Sequence, residues 1–417
     1  MPEPKSAVVL TFDRWGAPYG GCYGAGWLAT PELNRLAARS ALWEATWAES
    51  ADLALTYRSW FTGRHAAATP AEGPGLAEQL AAEGIPSRLI TDCPTLAGLP
   101  LADEFTELIE VDTPWPEAPA EDWQETQLAR CAAAAINALE KSPPGELLWM
   151  HARAMAGPWD APLPWRERLR DEDDPAPYAA TRPPALLLPP EHDPDETLPF
   201  QHAYAAGVML LDACLGVLLE QLEARLAETL VIVSAPRGFP LGEHGVVGEG
   251  GGENEARLYG ELLQLPLLVL DPTRRGPIRY GEPRSPGDLH ATLLDWFTGR
   301  EEPPRAGRGA SLLREPASPW TPGRALTAVQ RDAAGRETQW LLRTPAWLYR
   351  KRLDAEGEPH RELYVVPDDR FQANDVASRC GDIVALCDTE LEQQLAAITS
   401  DSPSPPPALP ELLVEGI

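Results

Sequence analysis

Short apolar runs alternate along this chain with longer stretches in which apolar residues return every three or four positions. That alternation predicts strands and helices in turn. Candidate strands cover residues 8–12, 87–91, 106–111, 146–151, 230–234 and 265–270, each short and largely apolar. Candidate helices cover 31–40, 76–82, 122–139, 200–225 and 287–297. At the first of these, Thr30 suits the N-cap, Pro31 the first turn, and Leu33, Leu36 and Ala37 line one face. The longest apolar stretch, 205–219, is interrupted by Asp212 and is expected to lie in an amphipathic helix. Strands buried on both faces and separated by helices imply an α/β fold with a mostly parallel central sheet flanked by helices.

After about residue 300 the pattern changes. Short strands are expected at 324–330, 338–342, 346–353 and 363–366, with turns at AAGR and AEGE, then a helix at 382–397. This predicts a small antiparallel sheet with one packing helix. The expected organisation is an α/β domain over 1–300, a small C-terminal α+β domain over 301–400, and a Pro-rich tail over 401–417. The linker 300–308 is polar and proline-rich, and the tail is expected to be extended, a short partner-binding motif being the lesser alternative.

Composition narrows the partners. The chain has 417 residues, 44% of them hydrophobic, enough for a large core. Its 63 acids against 35 Lys plus Arg give a formal charge of -28, which argues against nucleic acid and for a solvated acidic surface. MPEPKS leads directly into the first strand, leaving no room for a signal peptide, and no run is expected to span a bilayer. Six scattered cysteines (Cys22, Cys93, Cys131, Cys214, Cys380 and Cys387) form no C-x-x-C pair and read as reduced thiols. A cytoplasmic protein without membrane association is expected.

The motifs carry more. AVVLTFD (7–13) is an apolar run ending in an acid, followed by GCYG (21–24) and TPELNRLAARS (30–40). ADLALTYRSWFTGR (51–64) ends in Thr62, Gly63 and Arg64. TLVIVSAPRGFPLGEHG (229–245), RLYGELLQLPLLVLDP (257–272), SPGDLHATLLDWFTG (285–299) and RELYVVPDD (361–369) follow in order. In sequence and spacing these segments resemble the sulfatase family of the alkaline phosphatase superfamily, over roughly residues 6–398. An isolated TGR would be only a helix end; the flanking segments fix the register.

The resemblance implies three chemical devices: an oxidised cysteine or serine as nucleophile, a divalent cation on several oxygen ligands, and cationic side chains on the sulfate. In register, the nucleophile position is Leu53, Leu55 stands at the proline, Thr56 at the serine and Tyr57 at the arginine. A slip of one residue recovers Arg58 but puts Ala54 at the nucleophile. The first strand supplies Asp13 as metal ligand, followed by Arg14. The second ligand pair falls on Pro236 and Arg237, neither of which can ligate a cation. Trp159 stands near the acid-base histidine position, with Asp160 and His151 as substitutes. The expected lysine is Glu255, with Arg257 a possible replacement, and the arginine before the later strand is Gln264.

Two readings follow. The first is a catalytically inactive sulfatase-like protein with no cofactor, binding an unknown protein or a small anionic ligand. Asp13, Arg14, Arg58, Arg237 and Trp159 would form the remaining pocket, unless side chains simply fill it. The alternative is a retooled sulfate- or phosphate-ester hydrolase using Thr56 or another nucleophile. It would need Ca2+ or another divalent cation held by Asp13, His65, Asp160, Glu243 or His244.

Overall fold

The computed structural model describes residues 5–69, 73–249, 257–274, 276–300, 305–314, 325–366, 368–400 and 408–416. Its main strands in chain order are β1 (Ser6–Phe12), β2 (Ala41–Trp43), β3 (Ser87–Thr91), β4 (Glu107–Glu110), β5 (Leu147–Ala152) and β6 (Thr229–Ser234). β7 (Leu267–Leu270), β8 (Ile278–Tyr280), β9 (Leu326–Arg331), β10 (Glu337–Arg343), β11 (Trp347–Leu353) and β12 (Pro359–Val365) follow. The main helices are α1 (Pro31–Ala37), α2 (Leu53–Thr62), α3 (Leu76–Ala82), α4 (Gln127–Lys141), α5 (Leu198–Leu222), α6 (Gly287–Thr298) and α7 (Gly381–Thr399). The chain weaves between two compact units. One holds Met1–Glu44, Ala77–Gly252 and Leu265–Tyr280; the other holds Ala45–Leu76, Glu253–Gln264 and Gly281–Ile417.

The first unit is built on an eight-stranded sheet of order β8-β2-β7-β6-β1-β5-β3-β4. β1 pairs parallel with both β5 and β6, Val9 lying opposite Trp149 and Ile232, and β3 and β4 extend the parallel part. A strand flanked on both sides and covered on both faces must be apolar at every position, which is why AVVLTF shows no alternation. β7 runs antiparallel to β6, and β2 antiparallel to β7. β2 and β8, three residues each, are too short to leave a periodic signal and were not expected.

Three expectations are corrected here. α5 is not amphipathic: Ala203, Tyr204, Ala205, Ala206, Val208, Leu210, Leu211, Cys214 and Leu215 are all buried, so it packs almost all round. Among the described residues the helical stretch Pro194–Arg225 is long and apolar enough to cross a membrane, contrary to expectation, although 67% of its most apolar window is buried within the protein. Nor does Thr30 cap α1. Its Oγ1 accepts from Gly21 N at 2.9 Å, and the amides of Glu32 and Leu33 donate instead to Asp212 of α5, at 3.2 and 2.8 Å. The acid that interrupts the apolar stretch thus satisfies a helix end.

In the second unit β9 to β12 form an antiparallel meander. Its turns fall at the expected places, where Gly335 and Gly357 adopt φ of 77° and 88°. One sheet face, with Leu342, Trp347, Tyr349 and Leu363, packs against Ile383, Cys387 and Leu391 of α7. The described end of the tail is not extended: Glu411–Glu415 is a short helix, Leu413 is fully buried, and Trp347 Nε1 donates to Leu412 O at 2.9 Å. Residues 401–407 lie outside the described residues.

Candidate functional site

In the first unit, parallel strands β6, β1, β5 and β3 lie side by side, so residues just past their carboxyl ends collect at one edge. Asp13 follows β1, Asp92 follows β3, His151 and Arg153 close β5, and Arg237 lies shortly after β6. Arg237 grips Asp13 with both arms of its fork: Nε donates to Oδ1 at 3.0 Å and Nη2 to Oδ2 at 3.1 Å. Asp13 is 1% exposed and Arg237 6%. Beside them Arg14 Nη2 donates to Glu249 Oε1 at 2.7 Å. Asp92 Oδ1 accepts from the Arg153 amide at 2.7 Å, and Arg153 Nε donates to Oδ2 at 3.3 Å. Three carboxylates thus face three guanidiniums, and the cluster balances its own charge.

Burial raises the Asp13 carboxyl, yet the Arg237 charge and hydrogen bonds prevail and hold it below the ordinary carboxylate value. Burial, followed by repulsion from Arg237, lowers Arg14 to about 10, which leaves it cationic at neutral pH. His151 is fully buried, with Nδ1 3.3 Å from Thr11 Oγ1, and burial lowers it to about 4, so it is neutral. Arg14 adopts φ 64°, a strained conformation for a β-carbon-bearing residue that costs about 1–2 kcal/mol. Tyr204 anchors the turn: its hydroxyl donates to Arg14 O at 2.7 Å and accepts from Gly16 N at 2.9 Å.

The substitutes expected for the acid-base group are otherwise occupied. Trp159 is 4% exposed and packs against Tyr178, Tyr204 and Phe239, with ring centroids 5.9, 6.2 and 5.4 Å away. Its Nε1 donates to Met155 O at 2.9 Å. Asp160 accepts from the first amide of α4, Gln127 N, at 2.8 Å, and burial raises it to about 6. A cavity lined by Asp92, Trp159 and Asp160 measures only about 20 Å³, room for one water. In GEHG, Glu243 Oε2 accepts from Leu241 N at 2.8 Å, while Gly242 and Gly245, at φ 115° and 72°, make the tight turn. Those glycines are needed by the backbone, independent of any reaction.

The segment at the family's nucleophile position belongs to the second unit. Leu53 opens α2 and is 7% exposed; Asp52 caps the helix, accepting from Ala54 N at 2.7 Å and Leu55 N at 3.2 Å. The Thr56 hydroxyl is fully buried and donates to Asp52 O at 3.2 Å. Arg58 Nη2 donates to Ala68 O at 3.1 Å and also to Ala66 O, so this guanidinium braces the loop after the helix. Gly63, at φ 64°, ends α2 with its amide on Ser59 O at 2.8 Å. TGR is a helix end as well as a family mark. His65 Nε2 lies 3.0 Å from Thr327 O, and its Nδ1 accepts from Ala67 N at 3.0 Å.

A divalent cation does not fit this donor set. Among the described residues no three His, Cys, Asp or Glu side chains gather as they would around a metal. Pro236 offers no ligand, and both Asp13 oxygens already receive Arg237. Asp13, Arg14, His151 and Arg237 do come together, as their mutual charge effects show. Glu255 lies outside the described residues. Sequence reasoning missed Asp92, Arg153 and Glu249. Asp92 carries the signal that marked Asp13, an apolar strand ending in an acid; Glu249 carries none.

Comparison with known proteins agrees with this architecture. The family model described as Sulfatase matches residues 5–299. The phosphonate monoester hydrolase of Agrobacterium radiobacter superposes with TM-score 0.74 at 16% identity, covering 97% of this chain and 100% of its own. A protein solved in complex with its substrate D-glucosamine-2-N,6-O-disulfate gives 0.73 at 17% identity, covering 94% and 98%. A 2-O GAG sulfatase gives 0.71 at 15%, covering 97% and 96%. No curated protein matches in sequence. By the family match, with the fold in agreement, this chain belongs to the sulfatase family.

Proposed function

We propose that this sulfatase-family chain does not hydrolyse sulfate or phosphate esters, uses no metal cofactor, and acts by binding a small anionic ligand or a partner protein. The observation that carries the reading is the Asp13–Arg237 fork. A guanidinium bonded to both carboxylate oxygens takes the chelating side of the carboxylate, neutralises its charge, and repels a cation that would approach it. Without a cation to polarise the ester, an oxidisable residue at Leu53 would still lack half the chemistry. Thr56, the alternative nucleophile, has its hydroxyl bonded within its own helix and, among the described residues, no base hydrogen-bonded to it.

The test is an assay of the purified protein with aryl sulfate, aryl phosphate and aryl phosphonate monoester, with and without added Ca2+, Mg2+, Mn2+ or Zn2+. The account expects no turnover above the protein-free rate. Metal-dependent turnover abolished by Thr56→Ala would establish the hydrolase reading instead.

A further inference from the structure

We propose that the C-terminal sheet of the second unit carries a binding site for a small oxyanion, a phosphate, sulfate or carboxylate group. The site is a cleft of about 450 Å³ lined by Arg257, Tyr259, Gln339, Arg350, Arg352 and Glu362, within the size range of small-molecule sites. Strand register puts its floor on one face of the sheet: Gln339 lies opposite Arg352, and Arg350 opposite Glu362. The other face is committed to α7, where Tyr349, Lys351 and Arg361 all donate to Asp388.

Donors and acceptors are unequally satisfied in the cleft. Its acids are spoken for. Asp332 accepts from the amides of Ala334 and Arg336 and from Arg336 Nε, each at 2.9 Å. Asp354 accepts from the amides of Glu356 and Glu358 at 3.0 and 2.7 Å. Glu362 Oε2 accepts from both Tyr259 and Tyr364 hydroxyls at 2.9 Å and from Arg350. The donors are not. Arg352 is exposed and makes no side-chain hydrogen bond or ion pair among the described residues. Arg350 is 4% exposed, stacks 3.5 Å above the Tyr259 ring, and its Nε has no hydrogen-bond partner.

A cleft whose carboxylates are saturated, while Arg352 and the Arg350 Nε are not, is complementary to an acceptor-rich, negatively charged guest. In a chain of formal charge -28, this cleft sets three arginines against three acids, and its Arg352 has no ion pair among the described residues. Arg352 would make the direct contact; Arg350, held by Tyr259 and Glu362, would set the cleft wall. None of its residues belongs to the first unit, which holds the Asp13–Arg237 fork, although Arg257 is the residue the sequence offered in place of the family's lysine.

Isothermal titration calorimetry of the full chain in a low-salt, non-phosphate buffer tests it, with inorganic phosphate, sulfate, citrate and glucose 6-phosphate as probes. Saturable binding of at least one probe is expected, weakened about tenfold or more by Arg352→Ala and Arg352→Gln, the loss of one charge-assisted contact. Arg279→Ala, a change at an exposed arginine paired with Glu44 in the first unit, leaves it unchanged. Tighter binding of glucose 6-phosphate than of phosphate would mean the anion is carried on an organic body; equal binding would mean the free ion suffices. No saturable heat with any probe, or equal affinity in the folded Arg352 variants, overturns the proposal.

Discussion

Replacing Arg237 by alanine isolates what the fork contributes. The change leaves Asp13, 1% exposed, without the guanidinium that meets both its oxygens. Breaking a buried pair from one side costs about 3–5 kcal/mol, mainly because an uncompensated charge stays behind. For a unit of this size that corresponds to a melting point lower by roughly 6–20 °C, measured by differential scanning calorimetry at pH 7. The partner experiment removes both charges: Asp13→Leu with Arg237→Met leaves no charge stranded and should lie within about 1 kcal/mol of the parent or above it. The pH dependence must also change. In the parent the folded Asp13 carboxyl is lowered, so its contribution is present above the unfolded value near 3.8 and lost as pH falls through the folded one. In Arg237→Ala burial, the largest influence on Asp13, is opposed only by the lesser effects of Arg14 and His151, so the carboxyl rises and acidification should recover part of the loss. A single variant as stable as the parent, with an unchanged acid limb, would refute the reasoning.

Other outcomes follow from particular contacts. His151, lowered by burial to about 4, binds a proton more readily unfolded than folded, so it removes stability as pH falls from about 6.5 to 4. His151→Gln should flatten that part of a stability profile followed by urea denaturation. Leu53→Cys, even after oxidation by a formylglycine-generating enzyme, should give no aryl sulfate turnover with added Ca2+, because Asp13 remains forked; turnover would contradict this. Leu413→Ala, at a fully buried position where the chain end docks on its own unit, should cost about 2–5 kcal/mol in denaturant unfolding.

The sequence displayed most of the first unit's sheet, because β1, β3, β5 and β6 are largely apolar and end in recognisable positions. It also displayed which residues stand at the family's reactive positions, since flanking segments anchored Leu53, Pro236 and Arg237. It could not display what replaced them. The fork joins residues 224 apart in the chain, and the neutralising partners Glu249 and Arg153 sit on segments with no motif. Asp212 read as a break in an apolar helix, whereas its role as the cap of α1 depends on a tertiary approach between helices 180 residues apart. Trp159 and Arg58 looked available for a pocket because exposure and backbone partners are invisible in sequence. The interleaving of the two units was equally hidden, since it is set by contacts and not by composition.

The central claim is that a guanidinium now stands on the carboxylate that would have held a cation. Elemental analysis of the native protein, purified without chelators and dialysed against trace Ca2+, Mg2+, Mn2+ and Zn2+, tests it most directly. The account predicts far less than one divalent ion per chain, unchanged by Asp13→Asn. A stoichiometric ion that disappears in Asp13→Asn would contradict it.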